Sequence, residues 1–143
     1  MFAKKKTQLS AHLLAIAAIV LSPAAANAAT AGDISPVQVL NTSPVYGDGQ
    51  SFHTCNVVNV STATISVVVE LINSNGGVLI SKTLSVSAGN SLELTNNGVG
   101  YVGFARCRFT LNYSATTIRA NVATFHSPDS GTTYQTYALS EAR

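Results

Sequence analysis

The sequence has 143 residues, a formal net charge of +2 at pH 7 and only 10% charged residues. Lys4, Lys5 and Lys6 supply the excess of positive charge, because residues 29–143 contain five basic and six acidic side chains, a formal charge of −1. So small a charge gives no electrostatic reason to expect nucleic acid or anionic lipid as a partner. A chain of this length is sufficient to bury one hydrophobic core.

The first 28 residues have the pattern of a secretory signal peptide. Three lysines precede an apolar run, residues 13–21, and an A-x-A cleavage site follows at Ala26-Asn27-Ala28. A membrane-anchoring helix is the alternative, but it needs about 20 apolar residues. We therefore predict cleavage after Ala28, an exported protein that is periplasmic or extracellular, no transmembrane span after cleavage, and one domain over residues 29–143.

The rest of the sequence favours extended chain. Short runs rich in valine, isoleucine, threonine and aromatic residues alternate with turn signals, and no segment has the period of an amphipathic helix. Residues 42–50 are predicted to be a loop, and Asn75-Gly76 predicts a hairpin with a type I′ turn. The predicted strands are residues 36–41, 51–60, 63–73, 77–84, 91–95, 101–113, 116–125 and 132–139.

Residues 101–113 show the clearest strand pattern, with a period of two. One face of this strand is predicted to be buried and to contain Tyr101, Gly103, Ala105, Cys107, Phe109, Leu111 and Tyr113. The other face would carry Val102, Phe104, Arg106, Arg108, Thr110 and Asn112. The strand is therefore half-buried and antiparallel, with Cys107 directed inward.

The chain has two cysteines, and Cys55 lies on another predicted strand, on one face with His53, Val57 and Asn59. In an exported protein two cysteines favour a disulfide over a metal site, because the compartment is oxidising and no further ligand pair is present. Evenly spaced strands indicate an antiparallel sandwich or barrel. A Cys55–Cys107 bond would join two facing sheets, which predicts an immunoglobulin-like β-sandwich of about seven to eight strands.

Several short motifs carry a resemblance to a known group of proteins. They are Cys55-Asn56-Val57-Val58-Asn59-Val60, Asn75-Gly76, Ser87-Ala88-Gly89-Asn90, Cys107-Arg108-Phe109 and Ile118-Arg119-Ala120. With these motifs the chain resembles small exported bacterial immunoglobulin-like β-sandwich proteins of unassigned function. The resemblance supports the fold and the disulfide, and it implies no catalytic residue.

A candidate ligand-binding surface lies on the outward face of strand 101–113. Arg106 and Arg108 share this face with Phe104, and the short link to the next strand is expected to bring Arg119 beside them. Guanidinium groups next to an aromatic ring suit a carboxylate or a sulfated glycan. The alternative is an ordinary solvated face on which these arginines pair with Glu70 or Glu93.

The sequence contains no catalytic or metal-binding pattern. His53 and His126 lack a second ligand at metal spacing, no serine lies in G-x-S-x-G, and Glu70 and Glu93 lie on separate strands. We therefore predict no enzymatic activity, no cofactor and no metal.

Two functions agree with these observations. The first is a non-enzymatic binding module for an unknown protein or an anionic glycan. The second is a structural subunit that assembles as a homo-oligomer through sheet edges, since the predicted terminal strands 36–41 and 132–139 carry no charge. Tyr46, Tyr134 and Tyr137 either belong to an adhesive surface or close the end of the sandwich.

Overall fold

A computed structural model describes residues 36–96, 101–127 and 134–143. The predicted signal peptide, residues 1–28, and the first two residues of the predicted strand 132–139 lie outside these ranges. Among the described residues no helix has the length and apolar character to cross a bilayer. The strands are β1 Gln38–Asn41, β2 Val45–Gly47, β3 Ser51–Asn59, β4 Ile65–Asn73, β5 Val78–Val86, β6 Ser91–Thr95, β7 Gly103–Leu111, β8 Ile118–His126 and β9 Gln135–Glu141.

The strands form two antiparallel sheets that face each other. The first sheet has the order β1-β7-β4-β5, with β2 also pairing with β7. The second sheet has the order β6-β3-β8-β9. The chain is therefore an all-β antiparallel sandwich, as predicted. The described residues contain nine strands, one more than the eight predicted, because the predicted loop 42–50 contains the short strand β2. Ala115–Thr117 form a single 3-10 turn before β8.

The alternation predicted for β7 is confirmed. Ala105, Cys107, Phe109 and Leu111 are at most 2% exposed, and they pack against inward side chains of β3, β4 and β8. Val102 and Phe104 on the opposite face are more than half exposed. β4, which corresponds to the predicted strand 63–73, is a central strand that lies between β7 and β5.

The predicted disulfide joins the two sheets. Cys55 on β3 and Cys107 on β7 are bonded, with their Cα atoms 5.7 Å apart, and both are fully buried. The immunoglobulin-like subtype stays a prediction. The two cysteine strands lie in opposite sheets, as in immunoglobulin domains. In those domains the strand that follows the second cysteine strand belongs to the same sheet, whereas here β8 pairs with β3 in the other sheet.

The hairpin at Asn75-Gly76 is present, but the predicted turn type is wrong. The backbone N–H of Gly76 donates to the Asn73 carbonyl, which places Ser74 and Asn75 at the centre of the turn. Gly76 then follows with a φ of +82°, and the Asn73 side chain accepts from the N–H groups of Asn75 and Gly77. A three-residue loop of this kind, in which a glycine with positive φ follows the turn, is the next most common hairpin connection after the two-residue type I′ and II′ turns.

Asn59, the last residue of β3, ties the two sheets together through a fully buried amide. Its Nδ2 donates to the carbonyls of Ala63 and Val86, at 2.7 and 2.8 Å. Its Oδ1 accepts from the N–H and hydroxyl of Ser61, at 2.9 and 2.7 Å. Since Val86 ends β5 in the first sheet, this amide holds the β3–β4 connection against both sheets.

We expect Asn59→Ala to lower the free energy of unfolding by about 3 kcal/mol, because each buried polar group left unpaired costs about 1–3 kcal/mol. Urea denaturation measures the change. Asn56→Ala is the matched control on the same strand, where a half-buried amide bonds only Asn121 on the outward face. Equal losses of unfolding free energy in the two variants would show that the buried hydrogen bonds of Asn59 stabilise the fold no more than the half-buried bond of Asn56.

Candidate functional site

The register of the first sheet places Phe104, Arg106 and Arg108 in a row on the outward face of β7, as predicted. Arg119 is not beside them. It lies on β8 opposite Val58, in the second sheet, and bonds the carbonyls of Ile118 and Thr116 through Nη1. The prediction of one patch containing all three arginines is therefore wrong, because the link from β7 to β8 crosses from one sheet to the other.

Arg108 is paired, as the alternative interpretation expected. Its Nε lies 2.5 Å from Oε2 of Glu70, its direct neighbour across the β4–β7 ladder. The hydrogen bond from Arg108 lowers the pKa of Glu70, and the same bond raises the pKa of Arg108. Glu70 therefore neutralises this arginine, and Arg108 offers little net charge to a ligand.

Arg106 bonds a neutral partner. Its Nη1 donates to Oδ1 of Asn41 on β1, and in the described part of the chain no acidic group pairs with it. The neighbouring position across the ladder is Ile72, which is 1% exposed although it points away from the core. Ile72 lies between Arg106 and Val78 in the register. Among the described residues, no acidic side chain therefore balances the positive charge of Arg106, and its neighbour on the same face is the apolar side chain of Ile72.

An aromatic pair continues this row. Phe104 lies opposite Tyr46 of β2, with ring centroids 5.3 Å apart and planes at 64°. The side chains of Tyr46, Val102 and Phe104 are 41%, 58% and 51% exposed. Together with Arg106 they form what we call the Phe104 face. Sequence reasoning found Phe104 and Arg106, and it grouped Tyr46 with Tyr134 and Tyr137 instead of with Phe104. It missed Asn41. Both positions depend on how β1 and β2 align with β7.

A second aromatic cluster lies on the outward face of the second sheet. The rings of Phe52 and Phe125, which are neighbours across the β3–β8 ladder, are stacked 5.3 Å apart. Tyr134 approaches Phe52 edge-on, at 5.4 Å. Phe52 and Phe125 are half-buried, so this cluster covers the end of the sheet. Tyr134 is 58% exposed and packs on the outer face of the sheet, so its role, in an adhesive surface or in closing the sandwich end, stays a prediction.

His53 belongs to the core. It is 1% exposed, its Nε2 lies 3.3 Å from the carbonyl of Val45, and its ring contacts that of Tyr101. A Cβ atom at Gly47 would lie 2.4 Å from the imidazole, so glycine is required for this packing. Burial lowers the pKa of His53, since charging the ring there is costly.

His126 lies at the same end of the sandwich, in a different set of contacts. Its Nδ1 is 3.2 Å from Oδ1 of Asp48, which also accepts from the hydroxyl of Ser51 at 2.7 Å and the N–H of Gln50. These bonds, led by that from Ser51, lower the pKa of Asp48. The serine bonds the acid and not the histidine, so the order differs from a nucleophile–base–acid triad. Across the described residues no three histidine, cysteine or acidic groups form a metal site.

The buried imidazole predicts a pH dependence of stability. The unfolded chain has a histidine pKa near 6.5, and the folded pKa is lower, so the unfolded state binds more protons as pH falls. Stability is therefore complete above about pH 6.5 and declines below it. The stabilisation from Asp48 and Glu70 is lost only at lower pH, below about 4.

Urea denaturation at pH 7.5, 6.0 and 5.0 tests this expectation. His53→Gln, which keeps a hydrogen-bond donor without a titrating ring, should show a flatter profile over this range. An unchanged decline in the variant would assign the effect to another group.

The comparisons with known proteins bear on the fold. No family model matches the chain, and no curated protein matches it. The solved structures contain a similar chain in the crystal structure of Thermotoga maritima 1070, with a TM-score of 0.51 and 12% sequence identity. The match covers 72% of this chain and 91% of that one. At this identity the similarity supports the sandwich architecture alone.

Proposed function

We propose that the protein is an exported, non-enzymatic binding module and that the Phe104 face is its contact surface. The observation that carries the proposal is the exposure of the Tyr46–Phe104 pair on a sheet face, with exposed Val102 just before β7. Exposed aromatic groups beside an arginine are enriched where proteins bind partners. The buried disulfide agrees with export, because such bonds persist in oxidising compartments.

The charges on this face select an anionic ligand. Glu70 neutralises Arg108, whereas Arg106 retains its charge. Among the residues that the structure describes, the guanidinium nitrogens of Arg106 other than the one bonded to Asn41 have no hydrogen-bond partner. A sulfate or carboxylate group would bond Arg106 while the attached sugar or side chain packs on Phe104. A sulfated or uronic-acid glycan and an acidic protein segment share this chemistry.

Retention of the purified protein on immobilised dextran sulfate, with neutral dextran as the reference matrix, tests the proposal. We expect Phe104→Ala and Arg106→Gln to weaken retention several-fold. Arg119→Gln is the matched control, because it removes the same charge from the other sheet. Equal retention of all three variants, or no preference for the sulfated matrix, would refute the proposed surface.

A second candidate function is a structural subunit that assembles through sheet edges. The observation in its favour is that β1 is an edge strand without a charged residue, and charge is a common guard against edge pairing. On the opposite edge of the same sheet, Lys82 of β5 pairs with buried Val69 and so lies on the inward face, which is one such guard. Light scattering at rising protein concentration tests this candidate, and a growing mass would support it.

A further inference from the structure

The edges of the two sheets meet at the end of the sequence. Asn41 and Arg143 exchange both backbone N–H···O bonds, each at 3.0 Å, and Thr42 forms an antiparallel bridge with Ala142. On its other side, the N–H of Ala142 donates to the carbonyl of Ala120 in β8. Residues Ala142 and Arg143 thus connect β1 of the first sheet with β8 of the second. We call these two residues the latch.

The latch is held by side chains as well as by backbone. Ala142 packs against the hydrophobic core, and the Ser140 hydroxyl accepts from the N–H of Ser43 at 3.1 Å. Beyond this point the N–H of Ser43 bonds the Ser140 side chain and not a backbone carbonyl, so the regular ladder between the two edges ends. The resulting cleft has a volume of about 530 Å³ and lies between residues 41–43 and residues 139–143.

The latch covers only part of the β1 edge. Thr42 donates its N–H to Cys107, so even-numbered residues direct their backbone groups toward β7 and odd-numbered ones direct them outward. Asn41 is satisfied by Arg143. Val39 has the same orientation, is 50% exposed, and has no backbone partner on that side among the described residues. Releasing the latch would leave two outward positions, Val39 and Asn41, open for pairing.

We propose that the β1 edge is an acceptor for the β1 strand of a second copy of this chain and that the latch blocks it in the monomer. An antiparallel pair of β1 strands would place Val39 of each copy opposite Asn41 of the other, with no charge repulsion in either strand. The inference rests on the second candidate function and adds the surface and the control element. It requires nothing of the Phe104 face.

Light scattering of the oxidised protein compares three states of the latch. The full chain should be monomeric at low concentration, and deletion of Ala142 and Arg143 should produce dimers at the same concentration. The double variant Asn41→Cys/Arg143→Cys places two cysteines at a hydrogen-bonded pair of residues. The Cα atoms of such a pair are about 5.5 Å apart, a distance that a disulfide spans. The oxidised double variant should stay monomeric at every concentration, and reduction of the new bond should restore the behaviour of the full chain.

Val39→Pro identifies the edge that pairs. Proline lacks the N–H group, and the N–H of residue 39 points away from β7, so the substitution removes no bond to β7. Added to the deletion variant, Val39→Pro should give a monomer again. Circular dichroism shows whether each variant is folded; should the deletion variant unfold, the cross-linked protein still gives the comparison. Monomers in every variant would overturn both the latch and edge assembly. Oligomers that persist in the cross-linked protein would overturn the latch and leave assembly through another edge.

Discussion

Replacing both cysteines, in Cys55→Ala/Cys107→Ala, should lower the free energy of unfolding by about 4 kcal/mol. The bond closes a loop of 52 residues, and its loss releases that loop in the unfolded chain. Both side chains are fully buried between the sheets, so the variant also loses packing at the centre of the sandwich. Urea denaturation of the oxidised protein and the variant measures the difference.

The reduced wild-type protein is the control for this experiment. It keeps both side chains but lacks the bond, so it separates the effect of the cross-link from that of the removed sulfur atoms. We expect most of the loss to appear on reduction alone. A change below about 1 kcal/mol would mean that the unfolded chain gains little freedom when the loop opens.

Phe109→Ala should cost about 4 kcal/mol, in the range measured for large aromatic side chains in cores. Phe109 is the largest fully buried side chain in the described residues and lies on β7 two positions after Cys107. Its ring packs between the sheets, where the vacated volume has no other side chain to fill it. The loss is measured by the shift in the urea midpoint at an unchanged slope.

Phe104→Ala provides the matched comparison, since it removes the same ring from the opposite face of the same strand. Phe104 is 51% exposed and contacts mainly Tyr46, so its loss should cost about 1 kcal/mol or less. Comparable losses at the two positions would contradict the division of β7 into a core face and a solvent face.

The alternation of side chains made most of the sandwich predictable. A period of two assigns every residue of β7 to a face, and the same pattern places His53, Cys55, Val57 and Asn59 inward on β3, where they are fully buried or nearly so. The two cysteines then fix how β3 and β7 face each other. These inferences succeed because burial is decided locally along a strand.

What the sequence does not contain is the assignment of strands to sheets. The link after β7 is equally compatible with a hairpin and with a crossing, and only the crossing separates Arg119 from Arg106. The roles of Asn41, Tyr46 and Asn59 depend on which distant residues become neighbours. The Ala142–Arg143 contact with β1 joins the two ends of the described chain, which no local pattern indicates.

The strand order also determines when each half of the domain is able to form. In the first sheet β4 and β5 are joined by a short turn, so their pairing requires closure of only a small loop. In the second sheet β3 has β6 and β8 as neighbours, and its longest ladder, Ser51↔His126 to Asn59↔Ile118, joins distant parts of the chain. During synthesis from the amino end, β3 is able to pair with β6 first, but its other side stays unpaired until β8 has been made. A chain truncated before β8 therefore retains only the β3–β6 pair of the second sheet.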